Sequence, residues 1–293
     1  MNKVKVAIIG PGNIGSDLMY KIMRSKSLEM GAMIGIDPES EGLKRAAALG
    51  FKTSHEGIKY IQDNPDCAKI VFDATTAKVH EKVHAPILKE LGIIAIDLTP
   101  AAVGKICTPL VNMEECINEM NVNLITCGGQ ATTPIANAVS SLVDIDYLEV
   151  ITTVASKSAG PGTRSNIDEY CRTTAKALTS LGGAKKSKVF TIFNPAVPEI
   201  AMRNTLFFIP FGEFNIEEVV AAVEKRVKEI QEYVPGYELT MSPVVENGYI
   251  ATTVSVNGAG DFLPSYAGNL DMETSSAVKM AEMFAEKILK ENK

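Results

Sequence analysis

At 293 residues the chain is long for one domain and fits two. Its 46% hydrophobic and 22% charged residues are those of a globular protein, and a net charge of -6 argues against nucleic acid or an anionic membrane surface as partner. The five cysteines (Cys67, Cys107, Cys116, Cys127, Cys171) are scattered without a Cys-x-x-Cys pair. That spacing suggests neither a zinc knuckle nor a disulfide framework and fits reduced thiols in the cytoplasm. No apolar run approaches the length of a membrane span, and the N-terminal stretch has no signal-peptide pattern.

Val4 to Ile9 is a continuous apolar run, as expected of a strand buried on both faces. It ends in Gly10-Pro11-Gly12-Asn13-Ile14-Gly15, followed by a helical pattern through Leu18, Met19, Ile22 and Met23. This is G-x-G-x-x-G between a strand and a helix. In that context the glycines allow a tight turn and close approach to a pyrophosphate, which the helix N-terminus binds. The next strand, from Met33 to Ile36, ends at Asp37. An acid there grips the ribose hydroxyls and favours NAD over NADP, or else it only opens the turn Asp37-Pro38-Glu39-Ser40.

Helices are expected over 42–49 and 55–62, a strand over 69–72, a helix over 79–91 and a strand over 93–96. Strands alternating with helices make a doubly wound parallel sheet, whose polar strand ends bind ligands. The fourth helix contains His80-Glu81-Lys82-Val83-His84, which matches the zinc-protease pattern H-E-x-x-H. The only other histidine is His55, and no acid stands out as a third ligand. The segment is therefore expected to be a crossover helix with one solvated face, and no metal site is assigned. A short helix is expected over 111–120.

A strand-like run, 122–126, then leads to Cys127-Gly128-Gly129-Gln130-Ala131-Thr132-Thr133-Pro134 and a helix. A thiolate at a helix N-terminus is stabilised, so its pKa is expected to fall and its reactivity to rise. Pro134 is expected in the first turn. The alternative is a buried structural cysteine.

Strands are expected over 147–156, 188–193, 205–211 and 250–256, with an amphipathic helix over 217–233. This half is expected to form a mixed sheet with helices on one face. Between its first strand and the following helix lies the polar, Gly/Pro-punctuated stretch Ser158-Ala159-Gly160-Pro161-Gly162-Thr163-Arg164-Ser165-Asn166. Such a loop carries function or is a plain connection. A last helix, to about Leu289, follows Asn269 and Asp271.

Taken together these segments resemble the acylating acetaldehyde dehydrogenases. The resemblance spans Ala7–Gly15, Gly35–Pro38, Phe72–Thr75, Ile96–Ala102, Asn121–Ala131, Ala155–Asn166, Tyr233–Tyr237 and Leu263–Asp271. The fold it implies is α/β: a Rossmann-type NAD-binding domain (1–130), an α+β substrate and dimerisation domain (131–271), and a C-terminal helix (272–293) returning to the first domain. The implied reaction converts acetaldehyde, NAD and coenzyme A to acetyl-CoA and NADH, with Cys127 as the thioester-forming nucleophile. Pro11 to Ile14, Ser158 to Asn166 and Asn269 match the family's NAD-binding segments. The family also implies a homodimer and pairing with a 4-hydroxy-2-oxovalerate aldolase in pathways degrading aromatic compounds. Asn204 departs from the family, because it stands where an Asp is expected and an amide cannot act as a base. Amides near Gly128 to Ala131 are expected to stabilise the oxyanion. Two rivals remain: a phosphate-dependent semialdehyde dehydrogenase, drawing on Arg164, Arg172 or Arg203, and a non-catalytic NAD-binding redox sensor with Cys127 as its oxidisable thiol.

Overall fold

The computed structural model describes residues 3–101, 103–160, 163–164 and 166–291. Pro161, Gly162 and Ser165, expected above at a cofactor site, lie outside the described residues. The chain divides into two compact units. Unit 1 comprises 1–109, 113–124 and 274–293; unit 2 comprises 110–112 and 125–273.

Unit 1 is built on strands β1 (Val4–Ile9), β2 (Leu28–Ile34), β3 (Thr53–Ser54), β4 (Ile70–Asp73), β5 (Ile94–Asp97), β6 (Lys105–Ile106) and β7 (Asn121–Asn123). They form one parallel sheet in the order β3-β2-β1-β4-β5-β7-β6. Chain order reverses between β1 and β4, and a doubly wound sheet binds ligands at the carboxyl ends of such strands. The helices are α1 (Asn13–Arg24), α2 (Glu41–Ala48), α3 (Lys59–Asp63), α4 (Ala77–Val79), α5 (Ala85–Glu90) and α6 (Met113–Cys116), with a π-helical turn over His80–His84. The helices expected over 55–62 and 111–120 are thus much shorter than the sequence pattern suggested, and β6 was not anticipated. Short apolar segments between turns fix no length for an element.

The expected crossover helix over 79–91 is likewise broken by the π turn. Its solvated face carries Val79 and Val83, while His80 and His84 are buried. The histidines are turned inward by one carboxylate, since both imidazole Nδ1 atoms lie 2.7 Å from Asp73 Oδ2 at the end of β4. Thr75 donates to the other Asp73 oxygen through Oγ1 at 2.6 Å and through its N–H at 3.1 Å. The H-E-x-x-H histidines therefore serve a buried acid.

Unit 2 contains β8 (Asp144–Ala155), β9 (Ser187–Asn194), β10 (Met202–Phe211), β11 (Tyr237–Glu246) and β12 (Tyr249–Val256). Their order is β11-β12-β10-β8-β9, antiparallel except for the parallel pair β8–β9. Its helices are α7 (Cys127–Ser140), α8 (Ile167–Ser180) and α9 (Ile216–Gln231). Helix α7 is almost wholly buried and contributes Ala131, Ile135, Ala136 and Val139 to a core shared with Val150 and Val154 of β8, Leu206 and Phe208 of β10, and Val223 and Ile230 of α9. Strand residues alternate, so the opposite sheet face presents Phe190, Ile192 and Ile209, all partly exposed. Helix α10 (Gly268–Glu291) begins in unit 2, and its residues from Thr274 onward belong to unit 1, where Ala277, Met280, Ala281 and Phe284 are fully buried. Among the described residues, no helix is long and apolar enough to cross a membrane.

Candidate functional site

In unit 1 the turn after β1 has the shape its glycines require. Gly10 has φ +105°, and a Cβ on it would lie 2.6 Å from Ala74 O in the turn after β4. A Cβ on Gly15 would lie 2.0 Å from Gly10 O. Gly12 faces open space and caps α1 without a side chain, and no acid occupies the first turn. The leading amides of α1, at Asn13 and Ile14, are thus a ready anion site beside an open approach. Asp37 is exposed, and its Oδ1 accepts the Glu39 N–H at 2.9 Å. The turn role of Asp37 is therefore real, and its second oxygen is left for other work. Beside it, Ile36 is 86% exposed at the end of β2. It offers an apolar surface two residues beyond Ile34, the last residue of β2, where the expected strand ran on to Ile36.

In unit 2 the cysteine lies at the first residue of α7. Thr126 is the cap, its Oγ1 accepting the Gly129 N–H at 2.9 Å. The preceding residue, Ile125, has φ +71°. A β-branched residue in the left-handed region costs on the order of 1–3 kcal/mol and marks a place where the surrounding structure imposes the backbone. The expected strand therefore ends at Asn123, and the chain makes a corner into the helix. Because the helix begins at Cys127, Pro134 lies beyond its first turn rather than within it, and Arg226 Nη1 reaches the Pro134 carbonyl at 3.0 Å.

Tyr170 of α8 reaches this corner. Its Oη accepts the Gly128 N–H at 3.0 Å and lies 3.5 Å from Cys127 Sγ. One turn further on, Thr174 Oγ1 lies 2.7 Å from Thr126 Oγ1 and donates to Tyr170 O at 2.8 Å. Two contacts at i and i+4 thus pin α8 to the start of α7. Across the corner, Thr152 Oγ1 donates to Asn204 Oδ1 at 2.8 Å. Asn204 is fully buried, and its Nδ2 has no protein partner.

Two expectations are corrected here. The amides of Cys127 and Gly128 do favour the thiolate, but burial, and then the Glu273 carboxylate, outweigh them and push the Cys127 thiol up to about 12. The helix terminus is also not free to hold an oxyanion. Gly128 N–H is taken by Tyr170, Gly129 N–H by Thr126 Oγ1, and Gln130 N–H by Thr126 O at 2.8 Å.

The loop after β8 meets the start of α10 within unit 2. Asn269 Nδ2 donates to Ser158 O at 3.3 Å, while its buried Oδ1 has no protein partner. Ser158 is itself fixed by donating to Ala155 O at 2.9 Å, whereas Gly160 faces open space. Arg164 folds back onto this loop, donating to Ala159 O, Ser156 O and Ser156 Oγ and stacking on Phe193 at 4.8 Å. It is committed to shaping the loop, which weakens its candidacy for binding an acyl phosphate. Arg203 projects from the sheet face opposite Asn204.

Tyr170, Thr174 and Thr152 were not among the residues expected at this site. The polar pair Tyr170/Thr174 at helical spacing was the available signal, but nothing local says which neighbour it faces.

Comparison with known proteins agrees with the geometry. A family model described as "Prokaryotic acetaldehyde dehydrogenase, dimerisation" matches residues 127–264. An acetaldehyde dehydrogenase of Carboxydothermus hydrogenoformans is 54% identical over 290 residues, covering 99% of this chain and 96% of that protein. One from Thermus thermophilus is 53% identical over 98% of this chain and 96% of its own length, and one from Geobacillus stearothermophilus is 51% identical over 97% of each. Among solved structures, aspartate semialdehyde dehydrogenase II from Vibrio cholerae superposes with a TM-score of 0.65 over 97% of this chain and 99% of that one. At 14% identity it bears on the fold alone.

Proposed function

Because the chain belongs to the acetaldehyde dehydrogenase family, we propose that it oxidises acetaldehyde with NAD and passes the acyl group through Cys127 to coenzyme A, forming acetyl-CoA. The observation that carries the reading is Cys127 on the capped corner of α7, with a hydroxyl at its sulfur and a buried amide close by.

The residues present fit NAD. Within unit 1, Gly12 to Ile14 leave uncapped amides for a pyrophosphate and Asp37 keeps an oxygen for a ribose hydroxyl; within unit 2, taken by itself, Asn269 Oδ1 is an orphaned buried acceptor for an amide N–H. Ser158, Ala159, Gly160, Thr163, Arg164 and Asn166 form the described part of the second cofactor segment. When bound, NAD supplies the hydride acceptor that turns a covalent adduct into a thioester. Cys127 Sγ attacks the aldehyde carbon and holds the acyl group, and the coenzyme A thiol then displaces it. A covalent thiol separates oxidation from transfer, so the acceptor need not be present when the aldehyde is oxidised. The phosphate-dependent rival lacks comparable support, since Arg164 is spent on its own loop.

We further propose that a second copy of this chain covers the open face of the mixed sheet around Phe190, Ile192 and Ile209, because the family model matching this unit is a dimerisation domain. The aldolase pairing is part of the same reading, and co-elution with a 4-hydroxy-2-oxovalerate aldolase tests it.

NADH formation with acetaldehyde, with and without coenzyme A and across longer aldehydes, tests the reaction. A Cys127→Ser variant that kept coenzyme A-dependent NADH production would sink it.

A further inference from the structure

The donors at the start of α7 are engaged within the protein, so the sulfur's chemistry falls to the group that touches it. That group is the Tyr170 hydroxyl, 3.5 Å from Cys127 Sγ. Its oxygen already accepts the Gly128 N–H, so its own proton is directed elsewhere and the sulfur is within reach. The hydroxyl is also fixed in space, by its contact with Gly128 and by the Thr126–Thr174 contact one turn along. Burial and the neighbouring Cys127 hold the phenol well above its ordinary range, so it is a protonated donor at neutral pH. Asn204 completes the corner. A Cβ on Gly128 would lie 3.3 Å from Thr152 Oγ1, the group that binds Asn204 Oδ1. The corner therefore holds a phenol on the sulfur and a buried amide nitrogen without a protein partner nearby.

We propose that Tyr170 carries the Cys127 thiol proton to the carbonyl oxygen as sulfur adds to the aldehyde, so that the nucleophile reacts from its neutral form. This rests on the aldehyde dehydrogenase reading above. The S–H bond breaks as the C–S bond forms, and the carbonyl double bond becomes a C–O single bond. Tyr170 Oη takes the thiol proton and gives its own to the carbonyl oxygen. Aldehyde and thiol become a neutral hemithioacetal with no net change in protons and no oxidant or reductant consumed. The scheme removes the need for a separate base at Asn204, which has no basic atom. It also suits a sulfur whose burial opposes ionisation. The Asn204 amide is a donor toward the oxygen as charge develops on it.

The test is Tyr170→Phe, which keeps the ring and removes the hydroxyl. Two quantities are read: kcat/KM for NADH formation, and the pH profile of Cys127 alkylation by iodoacetamide, followed by mass spectrometry. The relay predicts a fall in kcat/KM of about 10²-fold or more. It also predicts an alkylation profile displaced to higher pH, because the thiolate loses its phenol donor. A purely packing role moves neither, so kcat/KM within about twofold and an unmoved profile overturn the relay. The alkylation arm needs no aldehyde. A wild-type protein that makes no NADH from any aldehyde therefore overturns the dehydrogenase reading and is told apart from a failed relay. If Tyr170→Phe does not fold, fluorotyrosine at position 170 keeps the hydroxyl but makes it more acidic. The relay predicts that the pH profile of kcat/KM then moves to lower pH, and an unmoved profile overturns it.

Discussion

Gly128 gives its backbone N–H to the Tyr170 hydroxyl at 3.0 Å, and a Cβ on Gly128 would stand 2.3 Å from that same oxygen. The glycine is required by an approach from another helix as much as by the turn it makes. Gly128→Ala therefore displaces the phenol, and kcat/KM is expected to fall about as far as in Tyr170→Phe. In a Tyr170→Phe background the obstructing oxygen is gone, so the same substitution adds little. The double-mutant cycle, measured by kcat/KM and by melting temperature, is expected to be strongly non-additive. Additive losses would show that the two residues act independently.

The buried cluster at Asp73 gives the protein a pH signature. Burial alone would raise the Asp73 carboxyl, but hydrogen bonds from His80, His84 and Thr75 hold it well below the usual carboxylate range. A depressed acid contributes stability that is present above its unfolded value of about 3.9 and lost as the pH falls below it. His80 is raised: burial opposes the charge, but Asp73 and then Asp97 outweigh it. A raised histidine contributes stability that is full below about 6.5 and lost as the pH climbs through its folded value. Asp97 is raised by burial, so its contribution is lost as pH rises above about 3.9, which blunts the acid-side gain from Asp73. Denaturation midpoints are expected to peak between about pH 4 and 6.5 and decline on the alkaline side, and His80→Gln is expected to flatten that decline. A variant with an unchanged alkaline slope would contradict the assignment.

Asp17 and Lys21 form an ion pair at 2.7 Å with both side chains almost fully buried, and Thr274 donates to the same Asp17 oxygen at 2.6 Å. This ties α1 to the C-terminal helix within unit 1. Asp17→Ala removes the carboxylate from a buried, hydrogen-bonded ion pair and is expected to cost about 3–5 kcal/mol. Thr274→Val, which removes one donor to a charged group, is expected to cost about 1.5–3 kcal/mol. Urea unfolding measures both, and a cost for Asp17→Ala below that of Thr274→Val would contradict the buried pair.

The open face of the mixed sheet makes a prediction about assembly. Phe190, Ile192 and Ile209 lie on one face, with Phe207 and Tyr249 packed edge to face at 5.8 Å beside them. Ile209→Glu puts a charge where a second copy is proposed to sit, and analytical ultracentrifugation is expected to show monomer. An unchanged dimer would move the interface elsewhere.

Most of unit 1 was legible because its signals are local. A buried parallel strand is a continuous apolar run, and the Gly10–Gly15 pattern needs only one turn and one helix end to have meaning. The position of Cys127 was legible for the same reason, since Thr126 caps and the glycines turn within a few residues. Its environment was not. The sequence places the sulfur on a helix dipole, which predicts an easily ionised thiol. The fold buries it near Glu273 and brings the Tyr170 hydroxyl from another helix, and these interactions decide its charge. The histidines behaved alike: their i, i+4 spacing said that they share a face, and only the fold put that face on Asp73. By itself the sequence determined the alternation of strands and helices in unit 1, the glycine turn after β1 and the place of Cys127 on its corner, because these depend on backbone geometry within one or two turns. The tertiary structure alone decided which groups surround the sulfur and whether it holds its proton, because desolvation and contacts between distant segments exist only once the chain has packed.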